Sequence, residues 1–216
     1  MISILMPIYN GIEFINESVS SILNQTFEDW ELIIGVNGHP PMSEVYLAAK
    51  QYELMNSKIR VLDLSDIKGK SNALNVMVQY CNYNYVALLD VDDAWLPGKL
   101  AAQSIYLNVY DVIGTKCVYF GEADPIIPQI PEGDLRNFNF FSFNPIVNSS
   151  AIIRKELCYW VENGIEDYDL WLRLRKLGKK FYNCNQVLIK HRIHKASAFN
   201  AKGNNLKVND LKRSHM

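Results

Sequence analysis

Tyr85-Val86-Ala87-Leu88-Leu89-Asp90-Val91-Asp92-Asp93 is an apolar run that stops on a cluster of three carboxylates. A continuous apolar stretch of this kind reads as a strand covered on both faces, as in a parallel sheet. Its acids then emerge at the C-terminal end of the strand, where open α/β sheets hold their ligands. Side chains two apart on an extended chain share a face, so Asp90 and Asp92 can converge on one cation. Mg²⁺ or Mn²⁺ would offset their repulsion and keep positions open for phosphate oxygens. The competing reading is a solvated acidic turn that caps a helix starting near Pro97.

Upstream of this run the pattern is regular. Residues 2–9 and 31–36 are further apolar strands, and Ile12, Ile15, Val19, Ile22 and Leu23 draw one stripe down a helix between them, ending near Asn24. A helix at 42–55, a strand at 58–64 and a helix at 71–81 complete the alternation, which predicts a mainly parallel sheet flanked by helices. Downstream, Lys99 to Val109 reads as helix and Val112 to Phe120 as strand. The prolines at 125, 128 and 131 mark a surface loop over 124–137. Strands at 148–154 and 181–189 enclose a helix at 166–177 that carries Leu170, Trp171, Leu174 and Leu177. The polar residues 200–216 read as a mobile tail.

The 216 residues fit one α/β domain over 1–199, and 49% hydrophobic content suffices for a single core. The first 95 residues form its ligand-binding half and residues 96–199 its second half. With 22 Lys and Arg against 23 Asp and Glu, the chain has no net charge with which to gather nucleic acid. Cys81, Cys117, Cys158 and Cys184 lack metal-site spacing and read as reduced, buried thiols. The opening apolar stretch meets Pro7 too early for a signal peptide or a membrane span. These features predict a cytoplasmic protein.

With these residues in view, the chain resembles the inverting glycosyltransferases of family 2, and the likeness runs from residue 3 to about 197 through five motifs. The resemblance implies the GT-A fold, a single Rossmann-like domain. The first motif is Met6-Pro7-Ile8-Tyr9-Asn10, followed by Ser21 to Thr26 and Trp30 to Ile34, where Pro7 and Tyr9 would line the base pocket. The second, Gly69-Lys70-Ser71-Asn72-Ala73-Leu74-Asn75, is similar to a segment in which Lys70 and Asn72 approach the nucleotide. A helix N-terminus with a lysine suits phosphate on physical grounds as well. In the third, Asp90 to Asp93, the resemblance gives Asp92 to the metal and sets Asp90 near the ribose or metal. The fourth, Glu166-Asp167-Tyr168-Asp169, would make Asp167 the general base, although acids in a first helical turn also serve as caps. The fifth runs from His191 through Arg192 and His194 to Ser197. It would bring Arg192 over the diphosphate and His194 to the metal, against the plainer reading of a hydrogen-bonded histidine.

The resemblance implies a UDP-sugar donor, a glycan or glycoprotein acceptor and a Mn²⁺ or Mg²⁺ cofactor. One departure concerns the base: where the family has two acids, this chain has Val36-Asn37-Gly38-His39. Asn37 can accept from uracil N3–H through its oxygen, or donate to another base through its NH₂. Processive members carry membrane helices and a Gln-x-x-Arg-Trp element; without them, one sugar per encounter is expected. The run Phe138 to Asn144 and Asn148-Ser149-Ser150 reads as acceptor wall or core. The small domain and Asn- and Tyr-rich composition also resemble capsid-glycosylating transferase domains of large algal DNA viruses, which would place the chain in a host cytoplasm. Two other readings stand beside the transferase. A nucleotidyltransferase would show a Gly-rich loop where Pro7 to Asn10 stands. A catalytically inactive sugar-nucleotide-binding module would bind the donor without turnover.

Overall fold

The computed structural model describes residues 1–122, 124–195 and 204–215. Ala196 and Ser197 of the fifth motif, and the expected boundary near residue 199, lie outside the described residues.

The first half follows the apolar periodicity. β1 (Ile2–Ile8), α1 (Ile15–Leu23), β2 (Trp30–Asn37), α2 (Glu44–Met55), β3 (Ile59–Leu64), α3 (Lys70–Met77) and β4 (Tyr85–Leu88) alternate in chain order. Each of these strand pairs is parallel, with Ile2 opposite Trp30 and Ile8 opposite Val36 in the longest of them. Ile2, Ile4, Met6 and Ile8 face one core with Val19 and Ile22 of α1. Leu5 and Ile33 face the other with Leu74 and Met77 of α3. Both faces of β1 are therefore covered, which explains its unbroken apolar run. α3 lies so close to the sheet that a Cβ on Gly35 would stand 2.5 Å from the Met77 sulfur.

The second half changes character. β5 (Ala94–Trp95), α4 (Lys99–Ser104), β6 (Val112–Gly121), β7 (Gly133–Asp134), β8 (Ile152–Arg154), α5 (Glu166–Lys176), β9 (Phe181–Ile193) and α6 (Asn204–His215) complete the chain. The sheet order is β3-β2-β1-β4-β8-β6-β9-β5, with β7 on β9. The long ladders are parallel, including β6 on β9, while β8, β5 and β7 add short antiparallel pairs. The mainly parallel single-domain sheet expected from the sequence stands, with these antiparallel insertions added.

Several boundaries differ from expectation. The strand expected at 148–154 is a 3₁₀ turn at Asn148–Ser150 followed by β8, because Ser149 Oγ bonds Asp93 and the carbonyls of Ser149 and Ser150 accept from Trp95 and Gln103. β9 runs on to Ile193, carried by its pairing with Tyr119, Phe120 and Gly121. The expected loop at 124–137 contains β7 and a 3₁₀ turn at Leu135–Asn137 capped by Asp134. In place of the polar mobile tail, residues 204–215 form α6. Val208 and Leu211, three apart on one face, pack on the second core, and His215 Nε2 lies 3.0 Å from Asp169 Oδ1 on α5. Composition hid this helix because only two apolar residues anchor it.

Candidate functional site

The site forms where β1, β2 and β4 end and α3 and α5 begin. β4 stops at Leu88, and the acids follow in a turn closed by the Asp93 N–H on the Asp90 carbonyl. That turn sends its three carboxylates in separate directions.

Asp90 faces α3 and α5. Its Oδ1 lies 2.6 Å from Lys70 Nζ, its Oδ2 accepts from Asn148 Nδ2 at 2.9 Å, and its N–H donates to Ser149 Oγ. Burial would raise its pKa, but the Lys70 charge wins and holds the carboxyl below its ordinary value. Lys70 also lies 3.3 Å from Glu166 Oε1. Burial would lower its ammonium, yet Asp90, Glu166 and Asp167 together keep it above the ordinary lysine range.

Asp92 points toward β9, with its Oδ2 3.0 Å from His194 Nε2. Burial and the neighbouring charges of Asp93 and Asp90 raise its carboxyl above the usual value. Among the described residues no group of three or more His, Cys, Asp or Glu is arranged to hold a metal ion. Asp92 and His194, one carboxylate and one imidazole, are too few to form a closed protein cage for a cation.

Asp93 is structural. It is fully buried, and accepts from Ser149 Oγ at 2.5 Å and from the Arg192 N–H at 2.8 Å, with His191 Nδ1 3.0 Å away. Although burial acts against it, Asp93 keeps the His191 imidazole above its usual value. The Arg192 and His191 contacts tie the end of β9 to the acidic turn and thereby bring His194 to Asp92.

Asp167 opens α5 beside Glu166. Burial and the Glu166 charge raise its carboxyl to about 6, against the opposing Lys70 charge. Its Oδ2 accepts from Asn144 Nδ2 at 2.9 Å.

The nucleotide side is less tightly assembled. Pro7 sits on β1 opposite Gly35. Tyr9 is exposed, with its ring 5.3 Å from His39 and its carbonyl bonded to His39 Nε2. Asn37 is buried and directs Nδ2 to the Ile67 carbonyl at 3.4 Å, which turns its oxygen away as an acceptor. Asn72 is exposed and bonds back to the Lys68 carbonyl, apart from the carboxylates.

At two places expected to meet phosphate, the chain's own carboxylates stand. The N-terminus of α3, read as a phosphate seat, is faced by Glu162, whose Oε2 accepts the Ser71 N–H at 3.1 Å. Arg192 donates from Nε to the Asp92 carbonyl at 2.8 Å, but its guanidinium pairs with Glu17 and stacks on Phe14 and Phe120. It therefore lies next to the metal-side acid while its charge is committed to α1.

Sequence reading gave no role of their own to Asp93, His191 and Asn144, though each lies in a stretch it singled out, and it passed over Glu17 and Glu162. Each acts through a partner far along the chain, so no local spacing signals it. The Phe138–Phe143 run divides: Phe140 is core and Phe143 is exposed. No helix among the described residues is long and apolar enough to cross a membrane.

Comparison with known proteins gives the same outline. The O-antigen biosynthesis glycosyltransferase WbnJ of Escherichia coli is 30% identical over 208 residues, covering 91% of this chain and 81% of that protein. Among solved structures, S. aureus TarS 1–349 in complex with UDP-GlcNAc superposes with a TM-score of 0.75 at 17% identity, over 99% of this chain and 66% of that one. The mannosyltransferase PcManGT from Pyrobaculum calidifontis, in complex with GDP-Man and Mn²⁺, gives 0.68 at 15%, over 91% and 58%. The chain thus spans under two thirds of the length of these solved chains, and at such identities they show the GT-A fold alone. Residues 3–157 match the family described as Glycosyl transferase family 2, and the chain belongs to that family of glycosyltransferases.

Proposed function

We propose that the chain moves a hexose-type sugar from a UDP-sugar to an acceptor hydroxyl on a glycan or glycoprotein, with inversion and with Asp167 as general base. The observation that carries this reading is the presence, at one edge of the sheet, of carboxylates with opposed environments. Asp90 is held ionised by Lys70, and Asp167 is held near neutral pH by burial. Paired carboxylates separated in this way are the usual mark of divided acid–base roles.

In the reaction the bond between the anomeric carbon and the diphosphate oxygen breaks as the acceptor oxygen bonds to that carbon. The hydroxyl proton passes to Asp167, which is ionised above about pH 6 and so able to receive it. Lys70 sets a fixed positive charge beside Asp90, where the leaving diphosphate gathers negative charge. Asp92 and His194 would hold Mn²⁺ or Mg²⁺, which supplies further positive charge to that leaving group when bound. Arg192 can add its own charge once it leaves Glu17. Pro7 and Tyr9 line the base pocket and Asn72 its rim. The Asn37 oxygen, freed by the Ile67 contact, accepts from uracil N3–H. A glycan acceptor agrees with the O-antigen biosynthesis named for WbnJ.

Thermal unfolding with UDP or GDP, each with and without Mn²⁺, tests this reading, because a ligand confined to the folded state raises the midpoint by mass action. At one hundred times the dissociation constant the gain is about 2.7 kcal/mol. In a domain of this size that corresponds to roughly 5–10 °C. The expected result is a shift with UDP and Mn²⁺ together. A larger shift with GDP overturns the base assignment. No shift with any nucleotide overturns the donor site.

A further inference from the structure

Asn144 lies in the loop between β7 and the 3₁₀ turn at Asn148–Ser150. Its Nδ2 donates to Asp167 Oδ2 at 2.9 Å, and its Oδ1 accepts the backbone N–H of Ile146 at 3.2 Å. The second contact decides the first. An amide whose oxygen is engaged by a backbone donor must turn its NH₂ the other way, and an NH₂ group only donates. The face that Asn144 presents to Asp167 therefore matches a carboxylate.

The loop around Asn144 is fixed on both sides, to α5 through Tyr168 and to β9 and α6 through Asn183 and Lys212. The Phe140 carbonyl accepts from the hydroxyl of Tyr168, the neighbour of Asp167 on α5, at 2.5 Å. The Pro145 carbonyl accepts from Asn183 Nδ2 at 2.9 Å, and the Ser142 carbonyl from Lys212 Nζ at 3.1 Å. A reacting group is held to tight tolerance only when its supporting residues are themselves locked; here the Tyr168 contact ties the loop that carries Asn144 to the helix of Asp167.

We infer that Asn144 is a positioning residue for the transfer reaction, fixing the Asp167 carboxylate in one orientation against the acceptor hydroxyl. The inference rests on the reading of Asp167 as general base. The charged groups that bear on Asp167 are Glu166, which opposes its ionisation, and Lys70, which favours it. Asn144 acts with Lys70 by donating to the ionised form.

The test compares Asn144→Ala with Asn144→Asp. The second keeps the acceptor for the Ile146 N–H but sets a carboxylate against Asp167 in place of the donor. Carbon-detected NMR follows the Asp167 carboxyl, assigned by its loss in Asp167→Asn, while kcat and KM are measured against pH. A hydrogen bond to a charged group is strong enough to move this titration upward by about one pH unit in Asn144→Ala, and further in Asn144→Asp. The acidic limb of kcat should move with it, kcat near pH 6 should fall roughly fivefold to tenfold, and the donor KM should stay within about twofold. If Asn144→Ala unfolds, Asn144→Asp, which retains the turn contact, carries the same measurement. An unmoved Asp167 titration in folded protein overturns the inference. A titration that moves while Asp167→Asn retains turnover leaves the contact standing and overturns its role in transfer, together with the base assignment.

Discussion

The segment from β1 to β4 and the segment from β5 to β9 build one sheet by different means. In the first half β1, β2, β3 and β4 pair in parallel without a register break, through backbone bonds between apolar runs. In the second half the antiparallel pairs are two or three residues long, and the β6–β9 ladder shifts register at Thr115, Lys116 and Cys117. What closes this half is polar side chains reaching across the fold. Gln103 Nε2 holds the carbonyls of Ile113 and Ser150 at 2.7 and 2.8 Å, Asn183 holds those of Pro131 and Pro145, and Asp111 holds Arg154 and the Lys180 N–H. The first half is specified by the period of its apolar residues, the second also by polar side chains that bridge distant backbone groups, although Ser150 Oγ, Trp160 Nε1, Trp171 Nε1 and Asn183 Oδ1 stay without a partner. They should break for different reasons.

The largest effect is expected at the base. Asp167→Asn keeps the shape and can still accept from Asn144, but it cannot take a proton. Its turnover should fall by about 10²–10⁴-fold, while the midpoint shift with UDP and Mn²⁺ remains. Undiminished turnover removes Asp167 from the mechanism.

Next comes Asp93→Ala in the second half. It strips the partner from Ser149 Oγ and from the Arg192 N–H in a buried setting, and each stranded donor costs about 1–3 kcal/mol. A loss of about 3 kcal/mol should appear in denaturant unfolding with an unchanged m-value. A loss under about 1 kcal/mol would show that this half does not depend on polar closure. Gly35→Ala is the matching test in the first half, where the new Cβ would meet the Met77 sulfur. Overpacking of this kind typically costs about 1–3 kcal/mol. The flexible thioether can move aside, so the lower part of that range is expected. A larger loss than for Asp93→Ala would reverse the comparison.

The same division governs how much the sequence disclosed. The parallel half was legible because a covered strand must be apolar throughout and a helix over a sheet must be apolar every third or fourth residue, and both patterns are local. Asp90, Asp92 and Lys70 were legible as well, since strand ends and helix starts deliver polar groups to one edge. Asp93 was not. Its neighbours in sequence are also acids, and only the return of β9 nearly one hundred residues later distinguishes it as buried. Glu162 was hidden likewise, because its partner is the N-terminus of a helix some ninety residues earlier. α6 was missed for another reason: its polar composition suits a tail, and its docking depends on Val208 and Leu211 finding a surface made by the rest of the chain.

The smallest effect comes from the variant with the largest one. The Asp167 carboxyl is raised from 3.8 to about 6, so the folded state binds this proton more tightly than the unfolded chain does. A raised carboxyl contributes stability that is fully present below its unfolded value and is lost as pH rises through the folded value. At pH 7.5 the wild-type chain therefore carries an ionised group in a setting that disfavours charge, and Asp167→Asn does not. The variant should melt about 2–4 °C higher at pH 7.5, the change that roughly 1 kcal/mol makes in a domain of this size, and the gap should narrow as pH falls from 8 to 5. A gap that is constant with pH, or that widens toward pH 5, would mean that burial does not strain this carboxylate. If the gap narrows, the residue whose loss most damages turnover is also one whose charge the fold bears at a cost. That is the expected signature of a group kept for chemistry, in contrast to Asp93, where the same side chain is held by three partners and its removal costs stability.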